Sequence, residues 1–444
     1  MPLKPLDIYK LLPKKNCKEC GDPTCLTFAM KLAGGKVRPD LCPYLDEHAK
    51  EILGASTRPP VQRVKVGVGE RAFTVGEELV QFRHEKTFFH EPGIMIAVPD
   101  TMPPGAIKEI VISVRDRILT RVGTDIRLNG MAVRCLSHDP ATFARAIGAV
   151  EEVADLPEVL MSSDPAIMEA GLAICGNYRP LIHTATPANY PEMCRLAKKF
   201  GCPLTIQAEN LDSLALLSGQ CAGEGVSSLV LDLSMPTLHD LLNATTAVRQ
   251  HAITRVTPAL GHPVFLDAAR YGPDDAALIA GVVKFGSVLV CDNLSEASRK
   301  AILVLRQNMY TDPQKPIQIT PGLYRVGTPG RDAPVLLSVN FSLTFFTLQG
   351  YLEASRVPCF MLVVDTEGLS VLTAVASGKL QETVVRDAIQ KFEPGSEVSH
   401  TSLIIPGYAA PLSGRIEDAT GWKVLVGPRD AADIGEFLEQ EWKP

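Results

Sequence analysis

Four cysteines crowded into the first 42 residues constrain this chain more than any other feature. Cys17, Cys20, Cys25 and Cys42 follow the spacing C-x2-C-x4-C-x16-C-P, with Gly21-Asp22-Pro23 turning the chain between the second and third. Short spacings interrupted by Gly and Pro let consecutive thiolates converge on one centre. A helix is expected over residues 24–34, with Cys42 closing the site from beyond its far end. A segment of about 45 residues buries little core, so a metal centre would supply its folding energy. Structural zinc sites usually come as two CxxC-like pairs. Three bunched ligands and one distant Cys-Pro are closer to the spacing of cubane iron–sulfur clusters. Both metal readings stay open here, with iron–sulfur ahead. The other seven cysteines (Cys135, Cys175, Cys194, Cys202, Cys221, Cys291 and Cys359) are scattered singly. They read as small buried apolar residues of a reducing compartment, where a disulfide framework is not expected.

The chain has 444 residues, 46% hydrophobic and 21% charged, with 44 Lys+Arg against 50 Asp+Glu. This excludes disorder and coiled coil and leaves no electrostatic footprint for nucleic acid. No apolar stretch approaches the roughly 18 residues of a membrane span, and the N-terminus has no apolar signal core. A cytoplasmic protein is expected. The length suggests about three domains.

Residues 46–54 favour a helix, and the Pro-containing stretch 55–60 reads as a linker. Beyond it, apolar strand-like runs alternate with helical patterns: 63–68, 93–98, 126–133, 158–161, 181–184, 203–206, 228–233, 264–266 and 287–290. Eight or nine such units over about 250 residues predict a (β/α)8 barrel, with a doubly wound sheet as the alternative. Residues 311–334 are rich in Pro and Gly and read as a hinge. After them a smaller α/β pattern restarts, with strands at 335–339, 360–364, 402–405 and 422–426. It suggests an open parallel sheet whose ligand would sit at loops 340–343, 365–370, 406–408 and 427–430, beyond the strands' carboxyl ends. The chain is thus α/β throughout, divided at 1–56, 57–315 and 316–444.

Several motifs read as ordinary structure. Gly67-Val68-Gly69-Glu70-Arg71-Ala72 fits a GxGxxA fingerprint, but a second strand follows instead of a helix, so a hairpin is expected. His84 and His90 flank aromatic residues without HExxH spacing and read as a packed pair. No GxSxG elbow or Walker A loop occurs, so any hard chemistry belongs to a cofactor. Thr366 or Ser370 reads as the cap of a helix at 369–376. Gly427-Pro428-Arg429 reads equally as a phosphate loop or a turn.

Ile8-Tyr9-Lys10-Leu11-Leu12-Pro13, the four-cysteine motif, Asn340-Phe341-Ser342-Leu343-Thr344, the run from Val364 to Ala374, and Thr420-Gly421-Trp422 through Arg429 together carry a resemblance. Over essentially its whole length the chain resembles the large (gamma) subunit of the corrinoid iron–sulfur protein of the acetyl-CoA synthase/decarbonylase (Wood–Ljungdahl) system. The resemblance implies a [4Fe–4S] cluster on Cys17, Cys20, Cys25 and Cys42, and a TIM barrel paired with a barrel-shaped small subunit. It also implies a C-terminal Rossmann-like domain holding a cobamide against the helix beginning at Gly368. Ser338, Thr344, Gly368, Leu369, Ser370, Val371 and Ala431 would contact the cobamide, with Thr373 nearest the cobalt's lower face. The Asp-x-His-x-x-Gly motif of many cobalamin domains is absent, and position 373 lacks the cysteine of the related mercury-methylating corrinoid protein. Without a strong lower donor, Co(II) should be reduced more readily, and a low-potential cluster is suited to that task.

The implied function is a methyl carrier. Cob(I)amide would take the methyl group of a methyltetrahydropterin from a separate methyltransferase and deliver it to acetyl-CoA synthase/CO dehydrogenase. The cluster would repair occasional oxidation, and the domain would swing about the hinge. Two other readings remain: a zinc-stabilised scaffold, and a pterin methyltransferase in which the barrel is catalytic.

Overall fold

The computed structural model describes residues 5–33, 37, 39–46, 49, 53, 59–153, 155–312 and 316–443. Most of the expected helix at 46–54 and of the linker at 55–60 lies outside these residues. The chain divides into two compact units, Met1–Leu119 with Ile126–Tyr310, and Thr120–Asp125 with Thr311–Pro444.

In the first unit the N-terminal residues gather their own small core. Phe28, Ala29 and Leu32 face inward from helix Cys25–Ala33 onto Ile8 and Leu45, while Leu26 and Met30 stay exposed. Each large side chain so buried stabilises by roughly 1.5–3 kcal/mol.

The barrel closes from eight parallel strands: Gly93–Pro99, Gly130–Arg134, Glu158–Met161, Leu181–Ala185, Leu204–Gln207, Leu229–Asp232, Val264–Asp267 and Gly286–Cys291. The last pairs back with the first, Val288 opposite Gly93. Period-two alternation sorts the side chains. Met95 and Ala97 point into the barrel, whereas Ile94, Ile96 and Val98 meet the helical ring. The ring helices begin where their caps dictate: Asp139 accepts from the Thr142 N–H and Asp164 from those of Ala166 and Ile167, each followed by Pro at the first helical position.

The expected strand at 63–68 is real but is not a barrel strand. Val64–Val68 pairs antiparallel with Arg71–Val75. This hairpin plugs the barrel's amino end, where Val64, Val66 and Val75 complete the interior core and Phe73 lies against Gly93. Gly67 has φ +91°, and a Cβ there would sit 1.9 Å from the Arg71 carbonyl oxygen, so the turn requires glycine. The GxGxxA match is therefore the hairpin anticipated.

The C-terminal unit is built on a five-stranded sheet in the order Gly322–Val326, Cys359–Val364, Val335–Val339, Ser402–Ile405, Lys423–Val426. Four strands are parallel, and Gly322–Val326 runs antiparallel to Cys359–Val364 at one edge. That edge strand lies inside the stretch expected as a hinge: within residues 311–334, Gly322–Val326 is sheet and Gln318 bridges to Phe341. Ile319 N–H donates to Asn340 O and Ser342 N–H to Ile317 O. These bonds tie the chain into this unit from residue 317; residues 313–315 lie outside the described set.

Candidate functional site

The sheet's strand order reverses between Val335–Val339 and Ser402–Ile405, the place where open α/β sheets leave a crevice beyond the strands' carboxyl ends. A cavity of about 500 Å3 lies there. Ser338, Thr344, Val371 and Ala431 line it, together with Phe341, Ile405, Tyr408 and Arg429. Its rim is drawn close by glycine: a Cβ on Gly407 would come within 2.8 Å of the Arg429 backbone nitrogen. Ser338 stands alone among apolar neighbours on the central strand. It is 1% exposed, and its hydroxyl has no hydrogen-bond partner. An unsatisfied buried hydroxyl costs about 1–3 kcal/mol. The arrangement suits a largely apolar group that brings one polar atom within reach of Ser338.

Gly368, Leu369, Ser370 and Thr373 lie beside this cavity, on the loop and short helix that supply Val371. Asn340, fully buried at the end of the central strand, fastens that loop. Its Oδ1 accepts from Thr366 N–H (2.9 Å), Thr366 Oγ1 (3.0 Å) and Gly368 N–H (3.0 Å), and its Nδ2 donates to Asp365 (3.0 Å). Gly368 takes φ +75°, and Ser370 caps helix Val371–Ala376. Thr373 is exposed, its hydroxyl 3.0 Å from that of Ser370. The geometry therefore brings all eight C-terminal positions singled out from the sequence to one end of one sheet. Asn340 was missed as a positioning residue; the signal was a polar residue ending an apolar strand.

The N-terminal cysteines grade from exposed Cys17 through half-buried Cys20 to buried Cys25 and Cys42. Burial pushes the Cys42 thiol up, and Cys20, Cys25 and Cys17 add to the effect. Asn16 braces the set: its Oδ1 accepts from Cys25 N–H (2.8 Å), and its own N–H donates to Cys25 Sγ (3.4 Å). Among the described residues, which include all four of these cysteines, no group of three or more His, Cys, Asp or Glu side chains is placed to hold a metal ion. Of the scattered cysteines all but half-exposed Cys135 are buried, and burial pushes Cys202 and Cys359 up to about 12. His84 stacks on Phe82, and His90 bonds Glu77 at 2.7 Å.

Comparison with known proteins places these features. A family model described as “CO dehydrogenase/acetyl-CoA synthase delta subunit” matches residues 63–438, and one described as “Putative Fe-S cluster” matches residues 12–44. The chain is 39% identical to the “Corrinoid/iron-sulfur protein large subunit” of Moorella thermoacetica, over 98% of both chains. It belongs to this family. It is also 36% identical to the “Acetyl-CoA decarbonylase/synthase complex subunit gamma” of Methanopyrus kandleri, over 99% of this chain and 98% of that one. Among solved structures, a dihydropteroate synthase of Xanthomonas albilineans is 12% identical with a TM-score of 0.39, covering 57% of this chain and 100% of its own. No helix among the described residues is long and apolar enough to cross a membrane.

This family member also carries polar residues at the carboxyl ends of its barrel strands. Asp232 is held by His183 Nε2 (2.8 Å), Gln207 Nε2 (3.0 Å) and Arg270 (3.0 Å). Arg134 grips Asp267 with two bonds (2.6 and 3.0 Å) and reaches Asp292 at 3.0 Å. Burial works against the Asp232 carboxylate, but His183 and Arg270 outweigh it and hold its pKa below the usual range. These side chains satisfy one another.

Proposed function

We propose that this chain is the corrinoid- and cluster-bearing large subunit of a methyl carrier. It would accept a methyl group from a methyltetrahydropterin through a separate methyltransferase and deliver it to acetyl-CoA synthase/CO dehydrogenase. The observation that carries this reading is the unpaired Ser338 hydroxyl facing a largely apolar cavity at the sheet's reversal point. A bound cobamide supplies a cobalt centre that accepts and releases a methyl group, and a [4Fe–4S] cluster on Cys17, Cys20, Cys25 and Cys42 supplies single electrons.

The protein's own residues do the rest. Ser338 would offer a hydrogen bond to a bound cobamide, with Thr344 and Ala431 lining the same cavity. Gly368, Leu369, Ser370 and Val371 form the surface on which a corrin ring would lie, fixed from behind by Asn340. Thr373 presents only a hydroxyl, already engaged with Ser370, so this surface brings no strong donor toward the metal. The division at 1–56, 57–315 and 316–444 assigns cluster, barrel and Rossmann-like corrinoid domains, with the barrel meeting a small subunit. Anaerobic purification tests the reading. Cobalt, iron and labile sulfide in the protein support it, whereas a colourless zinc protein overturns it.

A further inference from the structure

Gly427-Pro428-Arg429, which as sequence reads equally as a phosphate loop or a turn, forms one lip of the cavity at the sheet's reversal point. Strand Lys423–Val426 ends there, and two backbone bonds join its loop to the one that follows Ser402–Ile405. Gly427 N–H donates to Ile405 O (2.8 Å), and Gly407 N–H to Pro428 O (3.0 Å). These bonds complete a turn, but the Arg429 side chain goes further. A Cβ on Gly407 would lie 2.9 Å from Arg429 Cγ, so the arginine is laid across a place that glycine leaves open. Its guanidinium carbon stands 5.8 Å from the centre of the Tyr408 ring, within cation–π reach.

No carboxylate among the described residues lies within ion-pairing distance of Arg429. The neighbouring Asp430 caps the turn that follows, its Oδ1 accepting from Ala432 N–H (3.0 Å). Among the described residues that line the cavity, Arg429 is the one cation. The cavity therefore holds two polar groups with unused capacity, the buried Ser338 hydroxyl and the exposed Arg429 guanidinium. A few placed polar groups in an apolar pocket fix a ligand's orientation, and the planar fork of arginine matches phosphate oxygens. A complete cobamide has a nucleotide arm joined to its corrin ring through a single phosphodiester, a fixed negative charge at neutral pH. One unmatched cation thus meets a ligand with one fixed anion.

We infer that Arg429 is the subsite for the phosphodiester of the nucleotide arm, so that this chain selects complete cobamides over corrinoids that lack the arm. The inference rests on the reading that the cavity belongs to a cobamide, and adds which residue recognises the ligand's charge. Gly407 and Tyr408 are positioning residues: the first leaves room for the arginine side chain, and the second holds its guanidinium at the cavity's edge.

The test is isothermal titration of the full chain, purified anaerobically without corrinoid, with two ligands in the aquo form: cobalamin, which has the phosphodiester, and cobinamide, which lacks it. Arg429→Gln should bind cobalamin about tenfold more weakly than the parent, the loss expected for one charge-assisted contact. Parent and variant should bind cobinamide equally. Arg429→Lys, which keeps the charge but loses the fork, should fall between them with cobalamin. Unchanged affinity of Arg429→Gln for cobalamin, or an equal fall for both ligands, overturns the subsite. Titration with inorganic phosphate alone identifies the source of the anion. Phosphate binding that Arg429→Gln abolishes while cobalamin affinity stays the same would mean a free-phosphate site, and would overturn the assignment to the cofactor. A parent protein that takes up neither corrinoid defeats the cobamide reading of the cavity and this inference with it, whereas a parent and variant that bind both ligands alike defeat the role of Arg429 alone.

Discussion

The barrel and the C-terminal sheet both end apolar parallel strands in polar residues, at the end where α/β folds build their sites. They use that end in opposite ways. At the barrel, Arg134, His183, Gln207, Asp232, Asp267 and Arg270 satisfy one another. At the sheet, hydrogen bonding is concentrated around the cavity, in Asn340, while Ser338 inside it stays unpaired. A pole whose charges are internally paired has little left to offer a ligand, and serves stability. A pole that leaves a buried hydroxyl unmatched is incomplete until something fills it. The two ends should therefore answer oppositely to the same operation, removal of a polar side chain.

The largest effect is expected at the barrel. Asp232→Ala strips the shared acceptor from His183, Gln207 and Arg270, and should destabilise the barrel by about 3–5 kcal/mol. Urea denaturation would read this, with Asp232→Asn, which keeps one acceptor oxygen, falling between. The low pKa of Asp232 adds a pH signature. Its stabilising contribution is complete above about pH 4 and is lost as pH falls through the depressed folded value, so the deficit of Asp232→Ala should narrow in acid. An alanine variant as stable as the parent would remove the contrast between the two poles.

Next comes the frame of the C-terminal cavity. Asn340→Ala leaves three donors without their acceptor, two backbone N–H groups and the Thr366 hydroxyl. A loss of about 2–3 kcal/mol is expected, together with faster hydrogen exchange across residues 366–374. Asn340→Asp, which can still accept all three but loses the bond to Asp365 and sets a second carboxylate beside it, should recover only part of the protection. Equal exchange in all forms would show that the loop is held by something other than Asn340.

Most of this architecture is legible in the sequence, because its signals are local or repetitive. Eight of the nine apolar runs became barrel strands, and the strand at 335–339 matches the expectation residue for residue. What escaped depends on long-range pairing. Val64–Val68 has the same alternation as a barrel strand, and only its partner Arg71–Val75 makes it a plug. Gly322–Val326 is five residues set among Pro321, Gly327 and Pro329; its register with Cys359–Val364 makes it a strand. The barrel's paired charges come from strand ends tens of residues apart, so their mutual satisfaction leaves no spacing motif. Ser338 had a faint signal, one hydroxyl in the apolar run Val-Leu-Leu-Ser-Val. Its lack of a partner is visible only in three dimensions.

Ser338→Ala carries the comparison most directly, because the expected sign is reversed. Removing an unsatisfied buried hydroxyl should leave the cofactor-free protein as stable as the parent or about 1–2 kcal/mol more so. The same change should weaken cobamide binding about tenfold, since one hydrogen bond to the ligand is worth about 1.4 kcal/mol at that scale. Thermal shifts with and without added cobamide would read both. A variant less stable without cofactor would mean that Ser338 is already satisfied, and the cavity would lose its main mark as an incomplete site.

The smallest effect lies at the barrel's opposite end and asks whether internal pairing is a property of the whole barrel or of one pole. Beneath the plugging hairpin, Arg71 pairs with Glu151 and lies 3.5 Å from Glu158. Glu158 is fully buried, and neither of its oxygens has a hydrogen-bond partner. Burial, reinforced by the charge of Glu151, raises its pKa well above the usual range despite Arg71. The folded protein therefore binds a proton at Glu158 more tightly than the unfolded chain does, and the sign is opposite to that of Asp232. Stability from this group is complete below the unfolded value near 4.3 and declines as pH rises toward the folded one. Glu158→Gln, neutral at every pH, should abolish that decline and leave the protein about 1 kcal/mol more stable than the parent at neutral pH. Urea midpoints of both proteins between pH 4.5 and 8 would show curves that diverge as pH rises. Parallel curves would mean that Arg71 already neutralises Glu158, and that the barrel is electrostatically closed at both ends.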